Sequence, residues 1–246
     1  MTAPAGTQEA TRRGAAAPAR TGFLRGVLAI AAKDLRAELR TKEALNASLA
    51  FSVVILLLFS FAFDPTAQET RALAGGLLWL VFAFAGALIL NRSFARELPN
   101  DCLEALIASP VPAAALYLGK TLANWVLLVA VELVSLVVFG IFYNAAWARQ
   151  FWPLAGVVAL GAWALAVVGT LFSALTVNLR LRELMLPLLV YPVLIPALLG
   201  AIQLTGPLVM GESLTPDLTG WFRLLAGFDV IFTALALALA EPALVG

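Results

Sequence analysis

The sequence predicts an all-α, polytopic membrane protein with six transmembrane helices, an amphipathic interface helix before the first of them and a short helix in the longest loop. Three observations carry that expectation. The chain is 62% hydrophobic and only 13% charged, whereas roughly a quarter of an average soluble domain is charged. Uncharged stretches long enough to cross a bilayer recur along it, and lysine and arginine gather in alternate loops. A soluble fold of 246 residues has no core large enough for so much apolar surface, while a helical bundle in lipid needs none.

Composition also excludes function classes. A net charge of +1, with no basic patch interleaved with aromatics, lacks the signature of nucleic-acid binding. Cys102 is the only cysteine, so no internal disulfide and no thiolate metal cluster can form from this chain alone. Histidine is absent, which removes Ser-His-Asp triads, zinc-protease motifs and imidazole-ligated metals.

Residues 1–23 are rich in Ala, Thr, Pro, Gly and Arg without apolar periodicity, and are expected to form a disordered tail. No apolar core follows Arg12 and Arg13, so the tail does not read as a signal peptide. From Leu24 the steps of three and four through Leu28, Ala31, Leu35 and Leu39 predict an amphipathic helix, with Lys33, Asp34, Arg36, Glu38 and Arg40 on its other faces. Such a helix either lies in the membrane interface or docks on a partner protein.

The permease domain then runs over 24–246, with spans at about 44–63, 72–91, 121–143, 151–178, 184–210 and 224–240. The first is twenty uncharged residues, about 30 Å of helix and the thickness of the hydrocarbon core. Asp64 and Pro65 stop it; Arg71 and Arg92 bound the second. The fifth carries Pro187, Pro192, Pro196 and Pro207 and is expected to be kinked or broken. The sixth is short and holds Asp229. Of the 16 lysines and arginines, 13 fall in the N-terminal segment and the loops after the second and fourth spans, which predicts that both termini face the cytoplasm.

The loop from Arg92 to Lys120 has the most organised sequence. Asp101 precedes Glu104 by three residues, the spacing of a reciprocal cap at a helix start. Leu103, Leu106 and Ile107 then form an apolar stripe, Ser109 and Pro110 end it, and Pro112 is placed to open the next helix. The stripe fits either a partner or the bilayer surface. Within the spans, Glu132 is the sharpest feature, since a carboxylate at the bilayer centre costs at least about 2.5 kcal/mol and is expected to face the interior, pair or be protonated. Asp229 sits nearer the end of its span, where water access accounts for it. Ala162, Ala166, Gly169 and Ser173 form a small-residue packing stripe. Trp79, Trp125, Trp147, Trp152 and Trp221 suit an interfacial belt.

The stretch from Phe94 through Ala95, Arg96, Glu97 and Leu98, then Leu106, Ser109, Pro110 and the run Tyr117, Leu118, Gly119, Lys120, resembles the cytoplasmic loop of ABC-2-type permeases. Residues 33–43 and 225–232 further resemble the CcmB family, haem exporter protein B, over about 24–241. The resemblance implies a non-catalytic multi-pass subunit of the bacterial inner membrane in cytochrome c-type biogenesis. Its implied partners are an ATP-binding subunit CcmA, CcmC and CcmD, the haem chaperone CcmE, and a second copy of itself. It implies that Glu97, Asp101, Leu103, Glu104, Leu106, Ile107 and Pro110 couple to the ATPase, and that Lys33, Asp34, Arg36, Glu38 and Arg40 belong to the permeases' interface helix. No glycine loop able to cradle ATP is present in the sequence, so ATP is expected to be handled by a partner. Haem ligation would fall to Met185, Met210, Cys102 or a tyrosine; none is expected, and no cofactor is expected to bind directly. Two other readings are an ABC-2-type exporter of a lipid or drug and a proton-coupled secondary carrier using Glu132.

Overall fold

The structure, a computed structural model, describes residues 22–64, 67–98, 104, 106, 109, 111–177, 179 and 181–245. Helix α1 spans Phe23–Thr41. It is followed by α2 (Glu43–Ala62), α3 (Gln68–Leu90), α4 (Ala113–Phe142), α5 (Phe151–Thr176), α6 (Arg182–Val209) and α7 (Thr219–Val245). Short 3₁₀ turns lie at Ala95–Glu97, Trp147–Gln150 and Pro216–Leu218. No strand occurs among the described residues. The six helices from α2 to α7 are long and apolar enough to cross a bilayer: the chain is an all-α, multi-pass membrane protein.

Lys42 makes the elbow between α1 and α2. Its φ of 55° is left-handed, a conformation that ends helices, and its N–H bonds the Glu38 carbonyl at 2.5 Å. Alternation along the bundle then puts α1, the 91–112 loop and the α5–α6 connection at one end, here termed the basic end. The α2–α3, α4–α5 and α6–α7 connections lie at the far end.

Helices α3 and α5 are the inner members, with α4 and α6 beside them and α2 and α7 outermost. Close approach sets this packing. A Cβ on Gly75 of α3 would stand 2.5 Å from the Ile202 carbonyl and 2.9 Å from the Gly206 nitrogen of α6, so only glycine lets the two backbones touch. A Cβ on Gly161 of α5 would run into the Trp79 indole, and Ala162, Ala166, Gly169 and Ser173 are all buried. Trp79 is thereby 1% exposed. It lies halfway along α3 and donates Nε1–H to Thr205 Oγ1 at 2.8 Å; it is core, not belt. Trp152, near the start of α5, is 81% exposed.

Two spans refine the sequence expectation. Of the two outcomes expected for the proline-rich span, the break is excluded, since helix α6 continues through Pro187, Pro192, Pro196 and Pro207. Each proline deletes one amide donor but leaves the flanking bonds in place. Helix α7 is longer than 224–240, because Thr219, Gly220 and Trp221 already wind and the helix continues past Ala240.

Candidate functional site

The basic end holds a buried ionic junction that joins four helices. Its foundation is apolar. Gly26, Val27, Ile30 and Ala31 of α1 are buried. A Cβ on Gly119 of α4 would stand 2.7 Å from the Ile30 Cβ and 2.8 Å from the Val27 carbonyl, so the missing side chain is what seats α1. The leucines of the predicted stripe turn mostly elsewhere: Leu24, Leu28 and Leu39 are exposed on the flank, while Ala31 is buried and Leu35 half-buried. Arg36 and Arg40 are also exposed. Helix α1 is therefore a wedge with a protein face, an apolar flank and a basic flank.

Seating Gly119 against α1 carries Lys120 into the protein, where its side chain is 0% exposed. A buried ammonium is tolerated only when its donors are all engaged. Lys120 Nζ lies 3.0 Å from each of Asp34 Oδ2, Glu97 Oε1 and the Ser93 carbonyl oxygen, and 4.9 Å over the Phe94 ring. Lys33 closes the cluster from outside, at 2.5 Å from Glu97 Oε1 and 3.0 Å from Asp34 Oδ1. Burial works to lower the Lys33 pKa, but the Glu97 hydrogen bond and the Asp34 charge outweigh it and raise it above the usual 10.5.

Further links radiate from the same loop. Asn124, one turn beyond Lys120, donates from Nδ2 to Ser93 Oγ at 2.9 Å and to Thr170 Oγ1 of α5 at 2.8 Å. Arg96 pairs with Glu38, which is 0% exposed and whose Oε1 accepts the Leu45 N–H of α2 at 2.9 Å. Arg92 pairs with Glu43. Four cations and four carboxylates thus balance around residues 92–97, and the segment is fastened to α1, α2, α4 and α5. Every carboxylate is occupied by a cation, which suits the cluster to holding parts together and not to acid-base chemistry.

Of the predicted site residues, Lys33, Asp34, Glu38 and Glu97 meet here. Asp101, Leu103, Ile107 and Pro110 lie outside the described residues. Glu104 and Leu106 are helical, exposed and half-buried respectively, and Ser109 Oγ donates to the Leu106 carbonyl at 2.6 Å. Glu132 is 1% exposed in α4 and Asp229 6% exposed in α7, and no described group hydrogen-bonds either carboxyl. Asp229 lies ten residues past Thr219, deeper than its expected place near a span end, because α7 starts earlier. No local sequence signal marks Lys120, Arg92, Ser93, Asn124 and Thr170 as members of the junction. Extending the helix opened by Pro112 back from residue 121 would have put Lys120 and Asn124 one turn apart on it.

A family model described as CcmB protein matches residues 25–245, which includes the whole junction. The chain belongs to the CcmB family. Its relatives include heme exporter protein B of Rhodobacter capsulatus, 31% identical over 176 residues, 72% of this chain and 80% of that one. That of Paracoccus denitrificans is 30% identical over 171 residues, 70% of this chain and 78% of that one. That of Pseudomonas aeruginosa is 31% identical over 175 residues, with the same coverage of 70% and 78%. The matched range takes in α2 to α7 and all of α1 but Phe23 and Leu24.

Proposed function

We infer that this CcmB-family chain is the permease subunit of an ATP-driven haem-handling complex of cytochrome c maturation in the bacterial inner membrane. In this reading a separate CcmA-type subunit hydrolyses ATP, the chain carries out no chemistry of its own, and CcmC, CcmD and the chaperone CcmE are its other partners. The observation that carries the reading is the junction: the 92–97 segment that leads into the 99–110 loop is held to α1 and α4 by buried charge, to α2 by the Arg92–Glu43 pair, and to α5 through Asn124 and Thr170. A push delivered to that loop by a docked ATPase moves α1 and α4 together, and through Asn124 and Thr170 it reaches α5. The names of the relatives, heme exporter protein B, supply the haem part of the reading. The concentration of 13 of 16 basic residues on the junction side supports a cytoplasmic basic end with both termini inside.

Within this mechanism Leu103, Leu106 and Ile107 form the apolar contact with the ATPase, Asp101 and Glu104 cap the coupling helix, and Pro110 ends it. The flank of Leu24, Leu28 and Leu39 rests in lipid, with Arg25, Arg36 and Arg40 among headgroups. The test is co-purification of the detergent-solubilised chain with candidate ATPases. Wild type is expected to retain a CcmA-type subunit, and Leu103→Asp with Leu106→Asp to lose it. Failure of both forms to retain any ATPase overturns the reading and leaves a carrier centred on Glu132.

A further inference from the structure

The outward side of α1 is left over once the junction is assembled. Lys33, Arg92, Arg96 and Lys120 are matched there by Asp34, Glu38, Glu43 and Glu97. Arg25, Arg36 and Arg40 stand outside that balance: each is exposed, and none pairs with a carboxylate among the described residues. Helix α1 packs on α4 and touches α2. Toward it α4 offers Lys120, α2 offers Glu43, already held by Arg92, and the 92–97 segment offers Glu97, already held by Lys33 and Lys120. The acids of α1 itself, Asp34 and Glu38, turn to the protein and are paired with Lys33, Lys120 and Arg96. The positive charge of the outer flank is therefore uncancelled, and exposed Lys42 at the elbow adds to it.

Sequence order makes this charge half of an amphipathic surface. Each of the arginines directly follows a leucine: Leu24 and Arg25, Leu35 and Arg36, Leu39 and Arg40. Successive residues of an α-helix lie about 100° apart, so the arginine stripe runs alongside the leucine stripe, roughly a quarter turn round. Leu24, Leu28 and Leu39 are 72%, 61% and 58% exposed. Arg36 and Arg40 stand one turn apart, near enough for both to reach a single phosphodiester. Helix α2 begins at Glu43 and its 20 residues match the thickness of the hydrocarbon core. The Lys42 elbow thus marks a membrane boundary, and Arg36 and Arg40 lie within two turns of it. On α2, Ala47, Ala50, Val54, Leu58 and Phe61 are exposed at steps of three and four, so lipid reaches the elbow from outside.

We propose that the outer flank of α1 is a binding surface selective for anionic phospholipid of the leaflet at the basic end, with phosphates at Arg25, Arg36 and Arg40 and acyl chains along Leu24, Leu28 and Leu39. A guanidinium matches phosphate with two parallel hydrogen bonds. A zwitterionic lipid carries a phosphate too, but its own cation opposes the approach to an uncancelled basic flank, so the net charge of the headgroup decides. Lys33 and Asp34 of the same helix enter the junction. Lipid on the outer flank and the ion pairs on the inner one therefore hold a single helix from two sides. The proposal rests on the placement of α1 at the membrane surface in the reading above, yet it needs no partner subunit. A lipid preference with no ATPase retained keeps the surface and overturns the permease reading; a retained ATPase with no lipid preference does the reverse.

The test titrates the delipidated full chain in detergent with phosphatidylglycerol or phosphatidylcholine of identical acyl chains, and native mass spectrometry reads the apparent affinity for the first lipid bound. A basic residue beside an anionic surface is worth about fivefold in affinity, so Arg25→Gln with Arg36→Gln and Arg40→Gln is expected to lower the preference for phosphatidylglycerol at least about tenfold. Replacing the same arginines with lysine keeps the charge and most of the preference, and Arg223→Gln, at an exposed arginine of the far end, leaves it unchanged. Circular dichroism and elution volume confirm that each variant is folded. In nanodiscs, an equal mixture of phosphatidylglycerol and phosphatidylcholine is expected to raise amide protection over 23–41 above that in phosphatidylcholine alone for wild type, and not for the glutamine variant. Equal uptake of the two lipids by wild type, a preference kept by the glutamine variant, or α1 protection indifferent to phosphatidylglycerol overturns the proposal. Should a glutamine variant that keeps the preference also lose a co-purified ATPase, the flank belongs to an acidic protein surface instead.

Discussion

Replacing Lys120 with Met keeps the volume of the side chain and removes only its charge. The ammonium is 0% exposed and makes 3.0 Å contacts with Asp34, Glu97 and the Ser93 carbonyl. Its loss turns a balanced group of Lys33, Asp34, Glu97 and Lys120 into one carrying a net negative charge. Removing one partner of a buried pair costs about 3–5 kcal/mol. Here the lower end applies, because Lys33, 44% exposed, still pairs with both carboxylates. About 3 kcal/mol is roughly a hundredfold in an equilibrium constant, and the equilibrium concerned is the seating of α1 on α4. Hydrogen exchange of the α1 amides in nanodiscs reads it directly: Lys120→Met lowers protection over 23–41 by about that factor and leaves α5 within a few-fold. Adding Glu97→Gln rebalances the cluster and restores much of the protection, a coupling that only interacting neighbours show. Unchanged protection in the single variant, or a double variant worse than the single, would show that Lys120 does not hold α1 on α4.

Four further outcomes follow from the same packing. Gly26 and Ala115 face each other with 3.7 Å between Cβ positions, close to the mean disulfide separation of about 3.8 Å. Gly26→Cys with Ala115→Cys in a Cys102→Ser background should therefore oxidise to a single cross-linked species on a non-reducing gel. Trp79→Phe leaves the buried Thr205 hydroxyl without its donor and should cost about 1–3 kcal/mol, seen as a melting temperature lowered by several degrees. Glu132→Gln replaces a buried carboxyl that no described group hydrogen-bonds with an amide of the same shape, so its melting temperature is expected at or above wild type at pH 8; a marked drop would show that the carboxyl has a partner. Because the Lys33 pKa is raised above 10.5, its contribution is fully present below that pH and fades as pH rises through the folded value. The melting difference between wild type and Lys33→Gln should be flat from pH 7 to 9 and close above 10.5.

The six spans were legible because lipid imposes a coarse rule, an uncharged stretch long enough to cross, and because lipid and core ask the same of a side chain. That same indifference hid the interior. Trp79 near a span end and Trp79 wedged against Gly161 have one local sequence, and only the α3–α5 crossing separates them. Glu97, Lys33, Asp34 and Glu38 stood out as charges in organised segments, yet nothing local says that residues 64 positions apart, as Lys33 and Glu97 are, share a proton-donating contact. Lys120 was obscured by the convention that a charge ends a span. Helix α4, 30 residues long, extends about 45 Å against a core of about 30 Å, and Lys120 lies in the part that outruns the lipid and packs on α1.

In the proposed function the 99–110 loop and the junction behind it act as one unit on a docked ATPase. Co-purification of a CcmA-type subunit should be measured with wild type, Leu103→Asp plus Leu106→Asp, Lys120→Met, and Lys120→Met plus Glu97→Gln, each with the ATP turnover of the recovered complex. Wild type should retain an active ATPase, the loop variant none, Lys120→Met an ATPase with depressed turnover, and Lys120→Met plus Glu97→Gln one whose turnover recovers. An ATPase still held by the loop variant, or turnover indifferent to Lys120, would contradict that function.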